Sequence, residues 1–156
     1  MRAFLAAVFL LLFSSIGFAA PAPALNKMSA EQLQQYFAGK SIMHYDRRLG
    51  SDVAYFRSNG TLYIYGTGLP TVRKSTWTVV TEPGKAVLCL AEASRRIPQA
   101  PGGKVSVRVC VDARDFVRQA VDVQQGDVLG ISKRSKPGFQ LDTKKTNFAK
   151  VQATLR

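Results

Sequence analysis

The sequence is poor in the residues that do most enzyme chemistry. His44 is the only histidine, and there are 10 acidic residues in 156. The acids sit mostly beside turns or next to arginine, as in Asp46-Arg47 and Arg114-Asp115, where solvated ion pairs are the ordinary outcome. No Ser-x-x-Lys, Gly-x-Ser-x-Gly or Cys-x-x-Cys occurs, so nucleophile, base and metal-ligand spacings are all missing. His44, alone in an apolar run, reads as a packed or surface residue. The expectation is a protein that is not an enzyme and carries no metal and no cofactor.

Long apolar runs are limited to one. Arg2 is followed by an uncharged stretch, Ala3 to Phe13, and then by Ser14, Ser15 and Gly17. The run is short for a membrane span of about 20 residues and fits a secretory signal peptide over residues 1–20. Small residues allow a cut after Ala19 or after Ala22. Residues 21–28, rich in Pro and Ala, are expected to be a disordered leader. Export, periplasmic or secreted, accounts for the cysteines. There are two, Cys89 and Cys110, and an oxidising compartment makes one disulfide the default. It would close a loop of about 22 residues, worth roughly 3 kcal/mol by loop entropy.

What the chain has in excess is positive charge. Lys and Arg number 22. Residues 1–20 contain one of them, Arg2, and no acid, so the remainder holds 21 against 10, a net of +11. Outside the cytoplasm this balance points to acidic polysaccharide, lipopolysaccharide or anionic lipid, and away from nucleic acid. The cations come in doublets: Arg47-Arg48, Arg73-Lys74, Arg95-Arg96, Lys133-Arg134 with Lys136, and Lys144-Lys145. If loops bring some of them together, they form a rim that holds phosphate, sulfate or carboxylate groups. If they stay scattered, they only solubilise.

Strand signals fill the middle of the chain. Val53 to Tyr65 (VAYFRS-NG-TLYIY) places two runs of β-branched and aromatic residues around Asn59-Gly60, which predicts a hairpin with a type I′ turn. Further strands are expected at Lys40–Tyr45, Ser75–Thr81, Ala86–Ala91, Val105–Val111, Phe116–Val123 and Val128–Ser132. Phe116–Val123 has a helical alternative, since short apolar runs are ambiguous. The clearest helix begins at Ser29, with Gln32 completing a capping box and Met28 and Leu33 placed for a hydrophobic staple. Gly39 stops it. Asn147–Leu155 reads as a last strand or a short helix.

The fold expected is mainly β: an antiparallel barrel or strongly curved sheet, lipocalin-like, with one short N-terminal helix, or a β-sandwich as the alternative. The β-domain covers residues 29–132. A basic C-terminal segment, 133–156, follows and can complete it. Tyr45, Tyr55, Tyr63, Tyr65, Phe56 and Trp77 are candidates to line a cavity, although strand aromatics are more often core.

The helix with Gly39-Lys40, then Gly60-Thr61, Thr76 to Val79 and Leu88 to Leu90 in that order, resembles a family of small exported bacterial envelope proteins with a β-rich domain of unassigned function. The resemblance spans roughly residues 29–110 and implies an extracytoplasmic β-domain with no known catalytic residues. Three roles follow as expectations. The first is binding of an anionic envelope polymer or lipid surface through basic loops. The second is carriage of a small apolar ligand in a barrel. The third is service as a protein-binding or inhibitor module.

Overall fold

The computed structural model describes residues 24–95 and 105–155, with the side chains of 92–95 and 105–107 left aside. The expected signal peptide, both cleavage sites and Arg96 lie outside the described residues.

Seven strands form one antiparallel sheet: β1 Lys40–Asp46, β2 Gly50–Phe56, β3 Thr61–Gly66, β4 Arg73–Glu82, β5 Lys85–Arg95, β6 Val105–Asp112 and β7 Asp122–Gln125. Their order is β6-β5-β4-β3-β2-β1-β7. The first six are a simple up-and-down meander, and β7 returns to pair with β1 through Lys40↔Gln125 to Met43↔Asp122. Among the described residues β6 and β7 do not pair with each other. The sheet is open, so the expected barrel closure fails, and the single sheet also excludes the two-sheet sandwich. No helix among the described residues is long and apolar enough to cross a membrane.

Strands β1 to β3 are covered on both faces, while β6 is exposed from Arg108 to Val111. Even-numbered residues of β1 to β3 point to one side. Ile42, Ala54, Phe56 and Leu62 are buried there with Leu33 and Phe37 of helix α1 (Ala30–Phe37) and with Trp77 of β4. Phe37 stacks at 5.1 Å on Phe56 and 6.1 Å on Trp77. Odd-numbered residues point to the other side, where Met43, Val53 and Tyr65 are buried against Leu129, Ile131, Phe139, Leu141, Phe148 and Val151. The basic C-terminal segment is therefore a structural layer, with helix α3 (Phe148–Ala153) docked in it. Five of the six aromatic candidates divide between these two clusters: Phe56 and Trp77 go to the helix side, and Tyr55, Tyr63 and Tyr65 to the tail side, while half-buried Tyr45 belongs to neither.

Local chemistry explains the boundaries. The capping box is complete: Gln32 N donates to Ser29 Oγ at 3.2 Å and Ser29 N to Gln32 Oε1 at 2.8 Å. Gly39 follows the helix with φ +75. The expected type I′ turn is instead a longer loop. Phe56 pairs with Leu62, Arg57 N donates to Thr61 O, and Gly60 takes φ +80. This is the three-residue hairpin loop that ends on a left-handed glycine. The extra residue matters, because it puts Phe56 and Leu62 on one face, whereas a two-residue Asn-Gly turn would set Phe56 opposite Tyr63.

Three other expectations are corrected. Residues 116–123 are not one strand: helix α2 (Ala113–Arg118) precedes β7. Asp112 nucleates it by accepting from Arg114 N at 2.8 Å and Asp115 N at 3.2 Å, and Ala113 and Val117, four apart, are its buried side. Residues 128–132 are not a strand either. Both carboxylate oxygens of Asp127 accept from the amides of Ile131 and Ser132 at 2.9 Å, which closes a 3-10 turn at Ile131–Lys133. The leader is ordered from Leu25 onward. It forms a 3-10 turn with Met28 buried beneath it, and the Arg114 guanidinium donates to the carbonyls of Leu25 and Met28.

Candidate functional site

A meander alternates its connections between the two ends of a sheet. The β1–β2, β3–β4 and β5–β6 connections therefore share one end; one doublet, Arg47-Arg48, sits on such a connection, and Arg73, Lys74 and Arg95 are strand residues next to the other two. Arg47 and Arg48 lie in the β1–β2 turn. Arg73 and Lys74 open β4, paired with Ile64 and Tyr63. Arg95 closes β5, paired with Val105.

The tail carries the remaining two doublets to the same end. Val72 N donates to Ser135 O at 2.8 Å, which places Lys133, Arg134 and Lys136 beside Arg73. Ser51 then anchors the next segment. Its amide donates to Asp142 O at 3.2 Å, and its hydroxyl donates to Lys144 O at 2.9 Å. Thr67, in the β3–β4 loop, donates its amide to Ser51 O and its hydroxyl to Asp142 O at 3.0 Å. Lys144 and Lys145 are thereby tied to the base of the β1–β2 turn. Arg47, Arg48, Arg73, Lys74, Lys133, Arg134, Lys136, Lys144 and Lys145 are all exposed.

Two acids at this end are hydrogen-bonded to backbone and held in the ionised form, so each offsets one of the cations. Asp46 Oδ1 accepts from Arg48 N at 2.7 Å and Leu49 N at 3.0 Å, which holds its carboxyl below the ordinary aspartate range. Asp142 accepts from Lys144 N at 3.0 Å and from the Thr143 hydroxyl, and its carboxyl is held down in the same way. Asp52, half-buried opposite His44 on β1, has its carboxyl pushed up by burial, partly offset by the His44 charge. Among the described residues the ion pairs are Lys85–Glu82 at 3.4 Å and Arg118–Asp115 at 3.0 Å, neither of them in this cluster.

His44 is packed. Its ring lies 4.2 Å from that of Phe116, and Nε2 is 2.8 Å from Phe116 O. The bridge between Cys89 and Cys110 is present, joining residues directly opposite on β5 and β6. Cys89 is buried and Cys110 exposed, so the bond pins the edge strand to its neighbour.

The residues that sequence reasoning missed are the positioning ones. Ser51 and Thr67 are uncharged, and only the fold reveals them as the joint. The signal that was available is the connection parity of the doublets. A cleft of about 350 Å³ also opens here, lined by Tyr65, Thr67, Gly68, Leu69, Pro70, Gln140 and Leu141. No protein-family model, curated protein or solved structure matches the chain.

Proposed function

We propose that this chain is an exported, non-enzymatic envelope protein that binds an anionic component, whether acidic polysaccharide, lipopolysaccharide or anionic lipid, through the cationic end of its sheet. The observation that carries this reading is the convergence at that end. The β1–β2 turn supplies Arg47 and Arg48, the start of β4 supplies Arg73 and Lys74, and the folded-back tail supplies Lys133, Arg134, Lys136, Lys144 and Lys145. Cations fixed on neighbouring turns gain more from a polyanion than the same number spread over a surface, because the field of one end adds up. The Cys89–Cys110 bond suits an oxidising compartment. Kinship with the small exported bacterial envelope proteins is part of the same proposal.

The test separates local from net charge. One variant replaces Arg47, Arg48, Lys144 and Lys145 by Ser. A second replaces Lys27, Arg57, Lys85 and Arg118, exposed residues elsewhere, also by Ser. Both lose four charges. On a heparin column the first is expected to elute at clearly lower salt than the second. Equal elution would mean that total charge alone governs retention, and the site would be withdrawn.

A further inference from the structure

The apex of the cationic end carries an apolar residue. Leu49 is 76% exposed, the most exposed large hydrophobic side chain among the described residues. It is held in that position. Asp46 Oδ1 clamps the amides of Arg48 and Leu49, and Gly50 turns the chain with φ +82, packed so closely that a Cβ there would stand 2.6 Å from Thr67 Oγ1. The turn therefore has little room to fold back and cover Leu49. Arg47 and Arg48 precede it, and Lys144 and Lys145 are tied alongside through Ser51. Pro70, exposed, and Leu69, half-buried, stand in the β3–β4 loop at the same end.

A hydrated polysaccharide offers nothing to a leucine at the tip of a turn. An anionic bilayer offers two things at once: phosphates for the cations and an acyl boundary for the leucine. The two contributions add: the cations draw the turn to the anionic surface, and the leucine gains by leaving water. Arginine and lysine stems also pack along apolar surface while their heads stay in the headgroup layer.

We propose that the β1–β2 turn is an interfacial membrane anchor. The sheet stands end-on to an anionic bilayer, with Leu49 entering the acyl boundary and Arg47, Arg48, Lys144 and Lys145 on the lipid phosphates. This rests on the cationic-end reading above and narrows its ligand from any polyanion to a lipid surface.

The experiment compares sedimentation with vesicles of phosphatidylglycerol and phosphatidylcholine, vesicles of phosphatidylcholine alone, and heparin retention. Wild type is expected on the mixed vesicles and not on the neutral ones. Leu49→Ser, at an exposed tip, is expected to weaken partitioning to mixed vesicles about tenfold and to leave heparin elution unchanged. In a Leu49→Trp variant the added emission is expected to shift to the blue with mixed vesicles and not with heparin. Partitioning of Leu49→Ser equal to wild type, or emission of bound Leu49→Trp that does not move, overturns the anchor while leaving the polyanion reading intact. Loss of heparin retention in Leu49→Ser also overturns it, since the turn would then serve a soluble polymer. If the four-site serine variant keeps both heparin and vesicle binding, the underlying reading fails as well.

Discussion

Phe148→Ala tests whether the basic segment is part of the fold or an appended arm. Phe148 is fully buried, in contact with a cluster that includes Met43, Val53, Ile131 and Val151. Its amide donates to Asp122 Oδ2 at 3.0 Å, and Asn147 caps the helix by accepting from Lys150 N at 2.9 Å. Helix α3 has six residues, too few to persist without docking. Truncating a buried phenylalanine costs about 3–5 kcal/mol, against a total stability on the order of 5–15 kcal/mol for a domain. Trp77 makes the readout informative. It is the single tryptophan, it is buried in the opposite cluster, and its Nε1 donates to Arg57 O at 3.0 Å. It therefore reports the far side of the sheet.

With a urea slope of roughly 1–3 kcal/mol per molar, the Trp77 fluorescence midpoint is expected to fall by about 1 M or more. Trypsin should then reach Lys144, Lys145 and Lys150 in the native buffer. Leu155→Ala, at a side chain 43% exposed, should move the midpoint by no more than about 0.5 kcal/mol equivalent. A Phe148→Ala midpoint equal to wild type, with cleavage confined to the tail, would falsify the claim that the segment shares one cooperative unit with the sheet.

Two further predictions concern stability. Burial raises the Asp52 carboxyl, so the ionised form is costlier in the folded chain than in the unfolded one. Wild type therefore gives up stability as pH climbs above the ordinary aspartate range, and Asp52→Asn should be the more stable at neutral pH, with the difference closing below about pH 4; a less stable Asp52→Asn at neutral pH contradicts this. Replacing Cys89 and Cys110 together by Ala removes a crosslink with sequence separation 21 and should cost about 3 kcal/mol, measured by urea unfolding beside the oxidised wild type, whose thiols should not react before reduction.

Strand alternation and the cap at Ser29 were readable because they are local. The Ser29-Gln32 box and the six strands of the meander all rest on contacts within a few residues or on period-two patterning. Asp112 and Asp127 were harder, because an aspartate beside a turn looks the same in sequence whether it caps a helix or pairs with a cation. Here both cap, which turned an expected strand at 116–123 into α2 followed by β7 and an expected strand at 128–132 into a 3-10 turn. Barrel closure was misjudged for a related reason. Ser41, Ile42 and Met43 are buried in succession, and such a run means cover on both faces. The cover on one face comes from Phe139, Leu141, Phe148 and Val151, apolar residues spaced through a segment whose lysines dominate its composition.

The same logic governs the candidate site. Net charge is a property of composition, and composition cannot say where charge goes. Connection parity can. In an up-and-down sheet every second turn lies at the same end, so Arg47 and Arg48 in the β1–β2 turn lie toward the end where β4 begins with Arg73 and Lys74, although the register sets Arg73 level with Ile64, Ala54 and Ile42, four residues short of Asp46 on β1. A doublet on β2–β3 or β4–β5 would oppose them. Those two turns instead carry Arg57 alone and the pair Glu82 and Lys85, whose charges cancel within one salt bridge. Among the described turns β1–β2 alone holds two cations, while Arg57, Arg114 and Arg118 lie toward the opposite end. The tail adds to the β1–β2 pair only because Ser51 and Thr67 fasten residues 142–144 to the β1–β2 side. Without that fastening Lys144 and Lys145 would be two charges on a strand of solvent-exposed chain, and the field at Leu49 would be set by Arg47, Arg48 and the Asp46 carboxylate beside them.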